Sequence, residues 1–445
     1  MAWPAALGLM LGLVCLAMLL GLPVAFAFFL TNIVGAVIFL GGENGIMSFL
    51  RGSMASIANF NLAPVPLFLV MGDILLRSGM AFRAIDAIDR LILAVPGRLS
   101  VVAVSGGTIF SALSGSTIAT TAMLGQSLLP EMLRRGYHPS MAMGPIMAIG
   151  GVDMLIPPSA LTVLLATLAS SVSRDKVSVS DLLIAGIIPG LIMSVCFLIW
   201  IVVRCWMRPD LAPQDEAARA PMTLGERWRP FFIDVVPLSL IFFVVMGSMF
   251  MGWASPTDSA ALGCLATVVL AICYRAFTWK VLFDSLKSTA VVTTMIFFII
   301  AASTTFAQIL AFSGATDGAL AEIAKYEMTP LIAVFVMIAI LLVLGCFMDQ
   351  ISMMLLTFPF FMPLANALNM DLVWLGVILL ISLQIGLLTP PFGLLLFVMK
   401  GVAPPEITMR QVWAAAFPYT VIVFGVLMLV VFVPSVATLL TGAMR

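Results

Sequence analysis

The sequence predicts an all-α polytopic membrane protein: an inverted structural repeat with two re-entrant helical hairpins and two Pro-Pro-broken helices. Three observations predict this class: an apolar composition, a recurrence of prolines, and a one-sided distribution of basic residues. Of 445 residues, 62% are hydrophobic and 9% charged, and the mean hydropathy is +1.19. A soluble domain carries roughly 25% charged residues. Several apolar runs reach the ~20 residues that cross a bilayer, so most of the chain is expected in lipid.

The first half, residues 1–203, divides into apolar runs with breaks between them. Residues 5–40 are too long for one span, and Gly21-Leu22-Pro23 divides them. Residues 77–98 alternate Arg and Asp with apolar residues, which is typical of a helix lying along a membrane surface. The remaining predicted elements are a span near 62–76, a hairpin at about 99–136, a broken helix at about 139–170 and a span at 182–203.

A polar connector, residues 204–230, separates this half from a second one, residues 231–445, in which the pattern recurs. Its predicted hairpin lies at about 329–367 and its broken helix at about 371–403. Five prolines of the first half have a counterpart at one displacement of 233 residues, which indicates an internal duplication. The pairs are Pro4/Pro237, Pro23/Pro256, Pro130/Pro363, Pro157/Pro390 and Pro158/Pro391.

The basic residues predict how the halves are oriented. If each hairpin enters and leaves the membrane on the same side, each half crosses the membrane five times. Because five is an odd number, the second half is then inverted relative to the first, as in many secondary transporters. With the N-terminus outside, sixteen of the 21 Lys and Arg fall in cytoplasmic segments. The positive-inside rule favours this orientation.

Each half places irregular backbone at membrane depth in two segments. In the first half, the hairpin tip Ser114–Thr117 is expected to meet the break at Gly150–Pro158. In the second, Gly345–Ser352 is expected to meet Gln384–Pro391. Such backbone survives only where protein or a water-filled cavity covers it. Hydroxyls and freed carbonyls are hard donors suited to Na⁺, and helix N-termini attract anions. The arrangement predicts an ion-coupled anion carrier.

Carboxylates at membrane depth strengthen this interpretation, because they are costly and usually functional. Asp153 and Asp349 occupy such positions. The competing explanation for the small residues is close helix packing, which Ser, Thr and Gly often serve.

Other functions are less well supported. An enzyme reading would make Ser114 a nucleophile, but His138, the only histidine, is expected at a surface. A channel fits an inverted repeat with two hairpins less well than alternating access does. No Gly-Lys-Ser/Thr phosphate loop exists for an ATP-driven pump. The six cysteines lack metal-ligand spacing, and nothing suggests nucleic-acid binding.

The motifs resemble a known family. The similarity lies in Ser-Gly-Ser-Thr-Ile-Ala-Thr-Thr-Ala (114–122), Leu-Ile-Pro-Pro-Ser (155–159), Asp-Gln-Ile-Ser (349–352), Thr-Pro-Pro-Phe-Gly (389–393) and Trp-Ala-Ser-Pro-Thr (253–257). Together they resemble the large membrane subunit of tripartite ATP-independent periplasmic (TRAP) transporters, over essentially the whole chain.

This resemblance implies an elevator-type transporter of the bacterial inner membrane, coupled to Na⁺ and needing no other cofactor. It also implies a small four-helix membrane subunit and a periplasmic substrate-binding protein that delivers an organic acid, such as a C4-dicarboxylate or sialic acid. The alternative is a stand-alone ion-coupled anion transporter of the same fold without a binding protein.

Carried over to this chain, the resemblance implies two Na⁺ sites and a substrate site between them. The first Na⁺ site would use Ser114, Gly115, Ser116, Thr117, Gly151, Asp153 and Pro157; the second would use Gly345, Asp349, Gly386 and Thr389; substrate would contact Ser116, Thr117, Ser352, Pro158 and Pro391. The chain departs from the pattern of this family at two positions. Asp153 stands where the family usually has glycine, and Leu395 stands where it usually has a polar residue.

Overall fold

The computed structural model describes residues 2–92, 95–114, 116–172, 177–213, 223–325, 328–391 and 393–442, without the side chains of 111–114, 171–172 and 323–324. These residues form helices and turns, with no strand among them. The first-half helices are α1 Trp3–Leu19, α2 Val24–Phe39, α3 Glu43–Ile57, α4 Pro64–Arg77, α5 Met80–Leu91, α6 Arg98–Ser114, α7 Thr117–Arg134, α8 Pro139–Gly150, α9 Ala160–Val172, α10 Val179–Ala185 and α11 Ile187–Met207. The connector contains α12 Leu224–Pro230. The second-half helices are α13 Val236–Phe250, α14 Pro256–Cys273, α15 Trp279–Phe312, α16 Ala315–Ala324, α17 Pro330–Gly345, α18 Gln350–Ala367, α19 Leu372–Leu388, α20 Leu394–Val402, α21 Met409–Phe432 and α22 Ser435–Gly442.

Seven helical stretches within the described ranges are long and apolar enough to cross a membrane. They are Phe60–Arg77, Val179–Met207, Leu224–Phe250, Pro256–Cys273, Trp279–Phe312, Gln350–Ala367 and Met409–Phe432. Shorter apolar helices, α1 and α2 among them, accompany these seven. The prediction of a multi-pass, all-α membrane protein is confirmed, and the inverted repeat stays a prediction.

Two pairs of helices turn back within the chain, and two further pairs are separated by proline breaks. Helices α6 and α7 meet at residues 114–117, which we call the first tip; α17 and α18 meet at residues 346–349, the second tip. The breaks α8/α9 and α19/α20 each contain a cis Pro-Pro bond. Proline has no backbone N–H and ends the helical hydrogen bonding there. Helix α7 packs against α8 and α20, and α18 packs against α9 and α19.

Helix α5 forms within the segment predicted to lie along the membrane surface. Its buried face is made of Met80 and of Ala and Ile residues, and two of its charged residues pair with neighbouring segments. Asp89 accepts from Arg98 at 2.6 Å, and Arg83 lies 2.9 Å from Asp234. Burial raises the pKa of the Asp89 carboxyl, while Arg98 opposes that rise. Since Asp234 lies in the π-helical turn Phe231–Val235, α5 is tied to the segment directly after the connector.

Helix α15 is the longest described helix, with 34 residues, and it contacts α2, α3, α4 and α18. The segment that contains Glu43 and Arg51 forms helix α3. In the structure α3 buries Phe49, and its Ser53 hydroxyl lies 3.2 Å from the Thr305 hydroxyl of α15. Asn32 of α2 donates to the Ala302 carbonyl at 2.6 Å. Helix α15 therefore has polar as well as apolar contacts.

Replacing Gly144 by Ala is expected to destabilise the protein by about 1–3 kcal/mol through overpacking. A Cβ at Gly144 would lie 2.6 Å from the Ala415 carbonyl oxygen and 2.5 Å from the Tyr419 ring. Thermal unfolding in detergent, followed by tryptophan fluorescence, measures the effect. Gly425→Ala is the matched control, because a Cβ there meets no atom within 4 Å. Equal melting temperatures for the two variants would contradict this packing.

Candidate ion and substrate site

The first tip contains three residues with hydroxyl groups: Ser114, Ser116 and Thr117. Helix α6 ends at Ser114 and α7 begins at Thr117. The Ser116 side chain caps α7 by accepting from the Ala119 N–H at 3.4 Å. The predicted contributions of Gly115 and of the Ser114 side chain lie outside the described residues. The tip is thus described from Ser116 onward, where a helix N-terminus begins.

Asp153 lies under this tip, in the short 3₁₀ turn Val152–Met154 of the first break. Its side chain is buried, and the Thr117 hydroxyl lies 2.7 Å from Oδ1 and 2.9 Å from Oδ2. None of the ion pairs formed by described residues includes Asp153. The structure therefore brings together two residues that the sequence analysis assigned to one site from positions 36 apart.

Two glutamines contact residues next to Asp153 in the first tip and the first break. Gln350, the first residue of α18, directs its Nε2 to the Thr117 hydroxyl at 3.4 Å and to the Met154 sulfur at 3.9 Å. Gln384 of α19 is fully buried and donates to the Ala148 carbonyl at 3.5 Å. Neither was assigned to the site from sequence. A polar amide within an apolar helix was the available signal for both.

The second tip uses Asp349 as the N-cap of α18. Its carboxylate accepts from the backbone N–H groups of Ile351 and Ser352 at 3.1 and 3.3 Å, and also from the Ser352 hydroxyl. This arrangement satisfies donors at the start of α18 that have no partner within the helix. Asp349 therefore has a structural role, and its three accepted hydrogen bonds leave about one of the four acceptor sites of a carboxylate.

Backbone atoms meet closely beside the second tip. A Cβ at Gly345 would lie 2.3 Å from the Gly386 Cα, so only glycine allows α17 and α19 to approach this far. The Cys346 thiol donates to the Pro390 carbonyl at 3.3 Å. Thr389 ends α19, and its hydroxyl donates to the Ile385 carbonyl at 2.7 Å. The structure thus brings Gly345 and Gly386 together, as the sequence analysis required.

A cavity of about 460 Å³ lies between the two tips on one side and α4 and α15 on the other. Ser116, Thr117, Asp349 and Gln350 line it. The other predicted substrate residues are not among the described lining residues. They are Pro158, Pro391 and Ser352. The Ser352 hydroxyl donates to Asp349 instead.

A second cavity, of about 770 Å³, lies farther along α15 and α18. Thr304 and Gln308 of α15, Asn366 of α18 and Asp317 of α16 line it. Because α15 and α18 also line the first cavity, the two helices run between two separate chambers.

The model of the family "Tripartite ATP-independent periplasmic transporter, DctM component" matches residues 11–436. The chain belongs to this family. It is therefore a TRAP large permease subunit and a transporter rather than an enzyme. His138, weighed above as a catalytic base, instead caps α8 by accepting from the Ser140 N–H at 3.3 Å. The family implies a small membrane subunit and a periplasmic binding protein as partners.

Relatives of this permease extend over nearly its whole length. The ectoine/5-hydroxyectoine TRAP transporter large permease protein of Ruegeria pomeroyi is 29% identical over 95% of this chain and 96% of its own length. The C4-dicarboxylate TRAP transporter large permease protein of Pseudomonas aeruginosa is 30% identical over 89% and 92%. The solved YdaH transporter of Alcanivorax borkumensis aligns with a TM-score of 0.63 at 13% identity, covering 88% of this chain and 89% of that one, and is similar in fold.

Replacing Thr117 by Val is expected to lower the unfolding free energy by about 1–3 kcal/mol, because the buried Asp153 carboxylate loses a donor. In an Asp153→Asn background the same change should cost less, and the difference is the coupling of the pair. Thermal unfolding of the four proteins measures it. Thr167→Val is the control, because that buried hydroxyl donates only to the Val163 carbonyl, at 2.8 Å. Additive effects of Thr117→Val and Asp153→Asn would contradict the pairing.

Proposed function

We propose that this permease imports a small carboxylate-bearing solute with Na⁺, across the bacterial inner membrane, with a small membrane subunit and a periplasmic binding protein. The observation that carries the proposal is the 460 Å³ cavity at the meeting point of the two tips. Helix α7 begins at this cavity, and a helix N-terminus favours a negative group.

The residues beneath the first tip fit a Na⁺ ion. Two further buried oxygens, Thr121 Oγ1 and Gln384 Oε1, have no hydrogen-bond partner in the described structure. They flank the break, because a Cβ at Gly150 would meet Thr121 and one at Gly151 would meet Gln384. Na⁺ is a hard cation that prefers oxygen ligands, and the Asp153 carboxylate would supply the opposite charge. A bound Na⁺ would supply the positive charge that this carboxylate otherwise lacks.

A second Na⁺ would lie at the second tip, near Gly345, Gly386 and Thr389, with Asp349 beside it. Because the Thr389 hydroxyl already donates its proton to Ile385, its oxygen lone pairs remain available to a cation. With one ion at each tip, the cavity between them would become more favourable for a carboxylate. This relation between ion and substrate binding is the basis of the proposed coupling.

Transport would follow an elevator mechanism. The tips and broken helices pack on one another, and together they face α4 and α15 across the first cavity. Movement of this group along α15 would open the site first to one chamber and then to the other. The inverted repeat predicted from the prolines is the symmetry that such a movement would use.

The substrate is a small organic acid, and the relatives leave its class open. Those named for ectoine/5-hydroxyectoine and for C4-dicarboxylates are 29% and 30% identical to this chain. Both kinds of solute carry a carboxylate, which is the group that the helix N-termini would bind. Labelled succinate and labelled ectoine are therefore the first probes to use.

Uptake into proteoliposomes that contain the permease with its two partner proteins tests the proposal. We expect succinate or ectoine to accumulate when an inward Na⁺ gradient is imposed. Replacement of Na⁺ by K⁺ should abolish accumulation. Uptake that proceeds equally fast in K⁺ would refute Na⁺ coupling. Uptake that needs no binding protein would instead support the stand-alone carrier.

Thr389→Ala is expected to raise the Na⁺ concentration that gives half-maximal uptake, because one cation ligand is lost. The loss of a single ligand group worth about 1.5 kcal/mol corresponds to a shift of roughly tenfold. Uptake measured against Na⁺ concentration gives the value. Thr420→Ala is matched, since the Thr420 hydroxyl also donates to a carbonyl four residues earlier, at 3.2 Å. An unchanged Na⁺ dependence for Thr389→Ala would remove this residue from the site.

A further inference from the structure

Three hydroxyls on α15 lie on one face of the helix. Ser285, Thr289 and Thr293 are spaced by four residues, which places them in a row with a separation of about 6 Å. The oxygen atoms of all three are buried and have no hydrogen-bond partner in the described structure. We call these residues the hydroxyl row.

The hydroxyl row differs from most other buried helical hydroxyls of this protein. A Ser or Thr in a helix commonly donates to the carbonyl four residues earlier. Farther along the same helix, Thr304 and Thr305 do so at 2.9 and 3.0 Å. The same bond is made by Thr31, Thr167, Thr267, Thr357 and Ser382 in other helices. A buried unpaired hydroxyl costs about 1–3 kcal/mol, so three in succession suggest a partner that is not part of the protein.

The position of Thr289 indicates where that partner binds. Thr289 is 5% exposed and lines the 460 Å³ cavity, across which lie Thr117, Asp349 and Gln350. Among the described lining residues there is no Lys or Arg. On the side of α4 and α15, the acidic lining residue is Asp73, which is paired with Arg77 at 2.6 Å. Uncharged hydroxyls are thus the donors that α15 presents to a ligand there.

We propose that Thr289, where the hydroxyl row meets the cavity, donates a hydrogen bond to the carboxylate of the transported solute. This assignment rests on the proposed function and adds a residue opposite the tips. Ser285, which is fully buried, and Thr293 continue the row along α15 but are not among the described lining residues of the cavity. A hydroxyl donates to a carboxylate without adding charge.

Access of a small anion to Thr289 tests this contact without knowledge of the solute. Thr289→Cys is made in the full-length permease with all six native cysteines replaced by Ala, and inside-out vesicles are treated with a sulfonate-bearing methanethiosulfonate. We expect Thr289→Cys to be labelled, and Thr267→Cys, fully buried in α14, not to be. Labelling of Thr289→Cys no faster than that of Thr267→Cys would overturn the proposal.

Thr289→Val in the native-cysteine protein separates a transport role from a structural one. Because the hydroxyl has no protein partner, its loss should leave the melting temperature unchanged or raise it. Uptake should fall about three- to tenfold, the value of one hydrogen bond. The control Thr267→Val should leave uptake unchanged. A lower melting temperature for Thr289→Val, or wild-type uptake by this variant, would overturn the proposal. Absence of Na⁺-dependent uptake in the wild type would count against the proposed function instead.

Discussion

The burial of the Asp153 carboxylate is the constraint on which the site depends. A carboxylate inside the membrane-spanning part of a protein is costly unless other groups compensate for its charge. Here the Thr117 hydroxyl lies within 2.9 Å of both carboxylate oxygens. Thr117 is also the first residue of α7, whose N-terminus favours negative charge. The first tip and the first break must therefore stay together, because separating them would leave the carboxylate without these partners.

In the second half, the corresponding contact between α17 and α19 depends on the close packing of two glycines rather than on a buried charge. Gly345 and Gly386 approach so closely that a single methyl group would collide with the neighbouring backbone. Gln350 then connects the halves, since its amide reaches Thr117 from the start of α18. Within the described part of the chain, the Gln350–Thr117 hydrogen bond thus joins the two tips, between tightly packed neighbours. Such a group can move as a unit more easily than it can be divided, which suits the proposed elevator.

Much of this could be predicted from sequence because lipid imposes strict rules. Apolar runs predicted the membrane helices, and small residues with Pro-Pro pairs predicted where they break. Thr117 and Asp153 could be assigned because each is polar within such a break. Gln350 and Gln384 could not, because their partners Met154 and Ala148 lie 196 and 236 residues away. No local pattern encodes that pairing. The unpaired hydroxyl of Thr289 could not be predicted either, because the sequence does not show whether a helical hydroxyl donates to its own helix.

Helix α15 presents different polar groups at the two cavities that it lines. Its 34 residues span about 51 Å, well beyond the ~30 Å hydrocarbon core, so one continuous helix reaches both cavities. At the second cavity the Thr304 hydroxyl donates to a carbonyl of its own helix, and Gln308 is the other polar residue of α15 in the described lining. At the first cavity the Thr289 hydroxyl makes no such bond in the described structure. Under the proposed function, a carboxylate would therefore meet an amide of α15 at one cavity and an unpaired hydroxyl at the other, so α15 would bind it differently at the two ends of its path.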